Sequence, residues 1–107
     1  DMVGCHNGLI EGCLFRSGGD TGVQAKGGTS RVVMKRNRFV DPGQRGVNLG
    51  GSTGLEFFRP PLSGIPDGSK SEAAQLVVES CTFIGGVASV AFVGVDGAVV
   101  RKNLFYK

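Results

Sequence analysis

The chain has 107 residues, a net charge of +3 and 19 glycines. That length fits one domain, and so much glycine argues against long helices. The mild positive charge is compatible with an acidic polysaccharide or a nucleic acid as partner and requires neither.

Taken in chain order, residues 1–7 precede the first clear strand. Met2, Val3 and Cys5 read as the tail of an earlier turn of chain, and His6, the only histidine, reads as a surface residue. Asp1-Met2-Val3 lacks the basic start and long apolar run of a signal peptide. Gly8 to Ser30 then forms a first unit, with a corner at Arg16-Ser17-Gly18-Gly19-Asp20-Thr21, and Arg31 to Gly51 forms a second. Asp41-Pro42-Gly43 marks the equivalent corner of that second unit. Residues 52–75 break the pattern. They carry three prolines, yet Leu55, Phe57, Phe58, Leu62 and Ile65 are too apolar for a solvated linker. They are expected to form an ordered loop that packs back on one face, the alternative being a degenerate coil with Leu55 and Phe57 pointing in. A third unit runs from Gln75 to Gly94, and a fourth starts at Val95. The apolar run 87–100 contains Asp96 and is too short to span a bilayer, which needs about 20 residues.

These units are repeats. Leu9–Phe15, Val33–Phe39, Val77–Phe83 and Val99–Phe105 superpose without gaps, and their phenylalanines stand 24, 44 and 22 residues apart. The middle spacing is either two turns or one turn plus an insertion. A second motif, centred on Val23, Val47 and Val90, follows the first three copies. The segments are short, rich in Val and Phe, alternate with period two and end in glycines, which is the pattern of strands. Strands repeating at this interval stack turn on turn, so a parallel β-helix of about three to four coils is expected, with one long loop at 52–75. The pleat then predicts inward columns Gly8/Val32/Leu76/Ala98, Ile10/Met34/Val78/Val100, Phe15/Phe39/Phe83/Phe105, Val23/Val47/Val90 and Ala25/Leu49/Phe92. Cys13/Asn37/Cys81/Asn103 forms an inward corner column. Outside, Glu11 should face Lys35 and Glu79 should face Arg101, while Leu9/Val33/Val77/Val99 makes an apolar stripe that invites cover.

The Val32–Phe39 pattern, with its Asn corner, resembles the right-handed parallel β-helix repeat proteins, the group of pectin and pectate lyases. The closing AFVGVDGAVVRKNLFYK is similar to secreted bacterial β-helix proteins of unassigned function. The resemblance implies a single all-β domain over 1–107 (whole, or a fragment of a longer solenoid), a secreted or cell-surface setting, and polysaccharide bound or processed on the outer face of one sheet. On that implication the substrate-binding candidates are Gln24, Lys26, Arg45, Asn48, Glu56 and Arg59, and the catalytic candidates are Asp20, Lys26 and Arg45. A lyase would use Arg or Lys as base and as partner to the enolate, and a glycosidase would need two carboxylates such as Asp20 and Glu56. For each residue the competing reading is a solvated turn or edge charge.

No metal or cofactor site is expected. Asp20 stands alone among acidic residues on this face, and Cys5, Cys13 and Cys81 fit no zinc spacing. Cys13 and Cys81 lie two or three steps apart in one column, too far for a disulfide, so reduced thiols are expected. Lys35, Arg36 and Arg38 lack the exposed aromatics of a nucleic-acid surface, and no nucleic-acid or membrane partner is expected. The alternative function is a non-catalytic interaction module, assembling through its coil ends and apolar stripe as a homo-oligomer or with the remainder of a longer β-helix.

Overall fold

The computed structural model describes residues 1–62 and 71–106, and their regular secondary structure is strand apart from one short 3-10 turn. Three parallel sheets account for them. Sheet A joins β1 (Met2–Val3), β4 (Val23–Lys26), β7 (Arg45–Gly50) and β10 (Ala88–Val93). Sheet B joins β2 (His6–Glu11), β5 (Thr29–Lys35), β8 (Ala73–Glu79) and, in its last place, β11 (Val95–Asp96) with β12 (Val99–Arg101). Sheet C joins β3 (Leu14–Arg16), β6 (Arg38–Val40), β9 (Thr82–Ile84) and β13 (Leu104–Tyr106). The chain visits sheets A, B and C in the same order in each circuit, so every strand pairs with its counterpart one circuit away.

The register follows the repeat. Gly8 pairs with Val32 and Val32 with Leu76, while Phe15 pairs with Phe39 and Phe39 with Phe83. The 44-residue step is therefore one circuit plus an insertion, and Cys13 and Cys81 stand two steps apart. The expected inward columns hold the buried cluster, including Val32, Met34, Val47, Leu49, Leu76 and Val78. The phenylalanines stack face to face, with ring centroids 4.9, 4.9 and 5.3 Å apart along the column. This near-parallel arrangement follows from equivalent residues held in register on strands about 4.8 Å apart. Burial fails at the last circuit: Phe39 and Phe83 are 1% exposed, but Phe105 is 56% and Phe92 58% exposed.

The corner between sheets B and C shows why an Asn recurs there. Asn37 Oδ1 accepts from the Cys13 N–H at 2.9 Å, and its Nδ2 donates to the Ile10 carbonyl at 2.9 Å. Asn103 repeats this with the Cys81 N–H and the Val78 carbonyl. Cys81 fills the same place between them, its thiol 3.6 Å from the Met34 carbonyl, so a weak sulfur donor stands where the amide nitrogen would. At the corner between sheets A and B, buried Thr29 accepts from the Cys5 N–H and donates toward the Lys26 and Met2 carbonyls. The backbone is left-handed at Arg36, Ser80 and Lys102, in the column where the first circuit has Gly12. Each of the three non-glycine residues carries a conformational cost of about 1 kcal/mol.

Some expectations need correction. Met2–Val3 is a strand of sheet A, as the reading of an earlier turn requires, and β2 begins at His6, whose Nδ1 lies 2.8 Å from Ser30 Oγ. Strand β8 begins at Ala73, so the loop ends before residue 75. Leu55 and Phe57 do not point inward. They lie in a single 3-10 turn, 59% and 56% exposed, because the segment leaves sheet A instead of continuing it. Phe58 is the buried aromatic of the loop. Ile65 lies outside the described residues. Cys13 belongs to the inward column but is exposed, since it lies in the first circuit, at the edge of the described strands, while Cys81 is buried.

The outer charges pair as expected. Lys35 Nζ lies 3.9 Å from Glu11, which also meets Arg36, and Arg101 Nε donates to Glu79 at 2.8 Å. The Arg101 hydrogen bond lowers the Glu79 carboxyl below its ordinary 4.5. The small stabilisation it gives is therefore full above that value and fades as pH falls through the lowered one. Burial raises the Cys81 thiol above its ordinary range.

Two outcomes test the corner. Asn37→Ala should cost about 1–3 kcal/mol in chemical unfolding, and Cys81→Asn should raise the midpoint, because an amide serves the backbone groups that the thiol serves poorly. A lowered midpoint for Cys81→Asn would mean that the corner has no room for the amide. In dilute native protein a maleimide should modify Cys5 and Cys13 and spare Cys81 until denaturant is added.

Candidate functional site

The insertion departs from sheet A at Gly51 and rejoins sheet B through Glu72, and both ends are tied to the same place. Gly51 donates its N–H to the Val93 carbonyl at 3.0 Å, and Glu72 donates its own to the Gly94 carbonyl at 2.9 Å. The Glu72 carboxylate accepts from Thr53 Oγ1 at 2.6 Å and from the Gly27 N–H at 3.3 Å, so it clasps the neck of the loop to the preceding circuit. Farther out, the Arg59 N–H reaches the Gly27 carbonyl at 2.9 Å. Arg59 lies so close over Gly4 and Gly28 that a side chain at either would strike it, and both positions are left-handed. The described part of the loop up to Arg59 thus lies along the corner between sheets A and B, as a segment that packs back on the body should.

This course opens a cleft of about 430 Å³ between the loop and the end of sheet A, lined by Val3, Lys26, Ser52, Thr53, Phe57 and Arg59. Lys26 closes β4 and lines the cleft. Its Nζ stands 3.9 Å from Asp1 and 3.5 Å from the Ser52 carbonyl. Arg59 is held by its own turn, Nη1 donating to the Phe58 and Glu56 carbonyls at 2.7 and 3.1 Å. Phe57 lies exposed in the same cleft. Two cations and an aromatic face therefore converge on one open space, an arrangement suited to a ligand with both anionic and apolar parts.

The other candidates are placed differently. Gln24 neighbours Lys26 across Gly51, near the cleft. Glu56 is exposed on the loop turn. Arg45 and Asn48 meet each other: Nη1 donates to Oδ1 at 2.7 Å, and Asn48 Nδ2 donates to the Gly50 carbonyl at 3.1 Å. Asn48 is only 3% exposed, so its amide is engaged within the sheet face. Asp20 lies exposed before β4, with Thr21 Oγ1 3.5 Å from its carboxylate, whereas Lys26 closes that strand. The catalytic candidates Asp20 and Lys26 thus stand at opposite ends of one strand. The sequence reading missed Phe57 as an exposed lining residue, and missed Thr53 and Glu72 entirely. The glycines at 4, 27 and 28 were the available signal that something passes close by.

Among the described residues no group of His, Cys, Asp and Glu is arranged to hold a metal ion, and no helix is long and apolar enough to cross a membrane. Comparison of the chain with family models, curated proteins and solved structures finds no match.

If Glu72 is the clasp, Glu72→Ala should free the neck of the loop. Chymotrypsin should then cut after Phe57 several-fold faster than in the parent chain, with little change in the unfolding midpoint. Equal cutting rates would show that the Arg59 backbone contact alone holds the loop.

Proposed function

We propose that the chain is a right-handed parallel β-helix that binds an acidic polysaccharide at the end of sheet A. The β-helix reading is supported by the pairing of each strand with the strand one circuit away. The ligand reading rests on the convergence of Lys26 and Arg59 around exposed Phe57. A uronate polymer presents a carboxylate on each sugar ring and an apolar C–H face between them. Arg59 takes a carboxylate through its planar fork, and Lys26 acts as a point charge. Phe57 offers the surface on which a sugar ring rests. Gln24 adds a polar contact beside Lys26, and Arg45 extends positive charge along the outer face of the sheet. A secreted or cell-surface setting, where such polymers occur, accompanies this reading. Glycosidase chemistry is disfavoured because Asp20, one of the two carboxylates it would need, stands apart from Lys26 and the cleft, and the residues that do converge there are those of a binding surface.

Affinity electrophoresis in polygalacturonate gels should retard the chain, and neutral dextran should not. Lys26→Ala and Arg59→Ala should each weaken binding about tenfold, as expected for a charged hydrogen bond. Retardation unchanged in the double variant would defeat this assignment of the site.

A further inference from the structure

A second cleft, of about 530 Å³, lies on the sheet B side of the loop and is lined by His6, Gly28, Ser30, Arg31, Arg59 and Pro60. Two arginines line it and no carboxylate does, so it favours an anion. Its polar residues come from a break in the strand pattern. Thr29 and Val32 are both buried although they stand three residues apart, so the alternation slips by one between them. Arg31 takes up the slip with a left-handed backbone, φ 55°, and both Ser30 and Arg31 come to the outside. The paired strand does the same at His6, which faces Ser30, and at left-handed Asn7.

We propose that this cleft binds a sulfate or phosphate monoester. The site stands apart from the polyuronate reading, since Lys26 and Phe57 take no part in it. Arg31 Nε donates to Asn7 Oδ1 at 2.7 Å. That bond fixes the guanidinium and leaves its terminal fork for two oxygens of one anion. Beside it, His6 Nδ1 and Ser30 Oγ lie 2.8 Å apart. Their bond uses one proton in either tautomer of the ring. When the ring donates, the Ser30 O–H is left for a ligand. When the hydroxyl donates, the ring carries its proton on Nε2, and that N–H is left instead. The cluster thus offers a two-pronged fork and a third donor. A carboxylate has only two oxygens to meet them, whereas a tetrahedral monoester has three terminal ones, and the cleft has room for a sugar-sized body behind the ester. The fold itself does not require these residues. The next circuit repeats the slip at left-handed Gln75, and Ala74 pairs with Ser30 there. Ala74 and Gln75 carry the same backbone with neither charge nor hydroxyl, so the turn alone leaves His6, Ser30 and Arg31 unexplained.

The test is an NMR titration of the 107-residue chain with glucose 6-sulfate and, separately, with glucose 6-phosphate. The His6 ring protons and the Gly28 and Arg31 amides should shift saturably with at least one of them, and glucuronate should bind at least about tenfold more weakly. A response to the sulfate alone assigns a sulfated ligand, a response to the phosphate alone a phosphorylated one, and a response to both an ester read by charge and shape. Ser30→Ala and Arg31→Gln install the residues that the next circuit already carries, so both should stay folded by circular dichroism. Each should weaken binding about tenfold, as the loss of a hydrogen bond to a charged group does. Lys26→Ala should leave it unchanged, which keeps this site distinct from the polyuronate cleft. No saturable shift with either ester, glucuronate bound as tightly as the esters, unchanged binding in the Ser30→Ala and Arg31→Gln double variant, or loss of binding in Lys26→Ala would each overturn the proposal.

Discussion

Like sits on like throughout this molecule. Because every strand pairs in register with the strand one circuit away, each side chain meets the residue at its own position in the repeat. The phenylalanine stack, the Asn and Cys corner and the alternating outer charges all follow from that single constraint. A parallel ladder alone would tolerate a slip. A slip of one residue here would turn Met34 and Val78 outward and bring Lys35 and Glu79 into the interior, which burial forbids. Register is thus held by the interior, and the corners are then free to take whatever residue can satisfy the turn.

The corners show how side chains satisfy the backbone between strands. Asn37 and Asn103 each serve one N–H and one carbonyl of the circuit beneath, and Thr29 does similar work at the next corner. Among the described residues no buried side-chain nitrogen or oxygen is left without a partner. Arg36, Ser80 and Lys102 keep the left-handed turn despite its cost because pairing on both sides leaves the chain no other path. The same pairing places the loop, since Glu72 can clasp Gly27 only when the two circuits are in register.

Much of this was legible in the sequence, for a physical reason. Gapless superposition of Val33–Phe39 on Val77–Phe83 means equal path lengths between equivalent side chains, and that is what stacking needs. The columns therefore came out in the right register, with burial failing at Phe92, Phe105 and Cys13 in the outermost circuits, and the pairs Glu11 with Lys35 and Glu79 with Arg101 came out as well. The spacing of 44 between Phe39 and Phe83 could not decide between two circuits and one, because both satisfy the same arithmetic. The site was less legible. Nothing local in residues 52–62 encodes where they land, and the surface that receives them, Gly4 and Gly28, is distant in sequence. Asn48 read as outward and open, but Arg45, three residues earlier, folds over to it.

The insertion between Gly50 and Ala73 changes no pairing around it. Val47 still faces Val90, and Val32 still faces Leu76, as though the excursion were absent. Circuit pitch and loop length are therefore uncoupled at this corner. Such a site is a natural graft point: segments of different length and chemistry can be exchanged there while the framework that presents them keeps its dimensions.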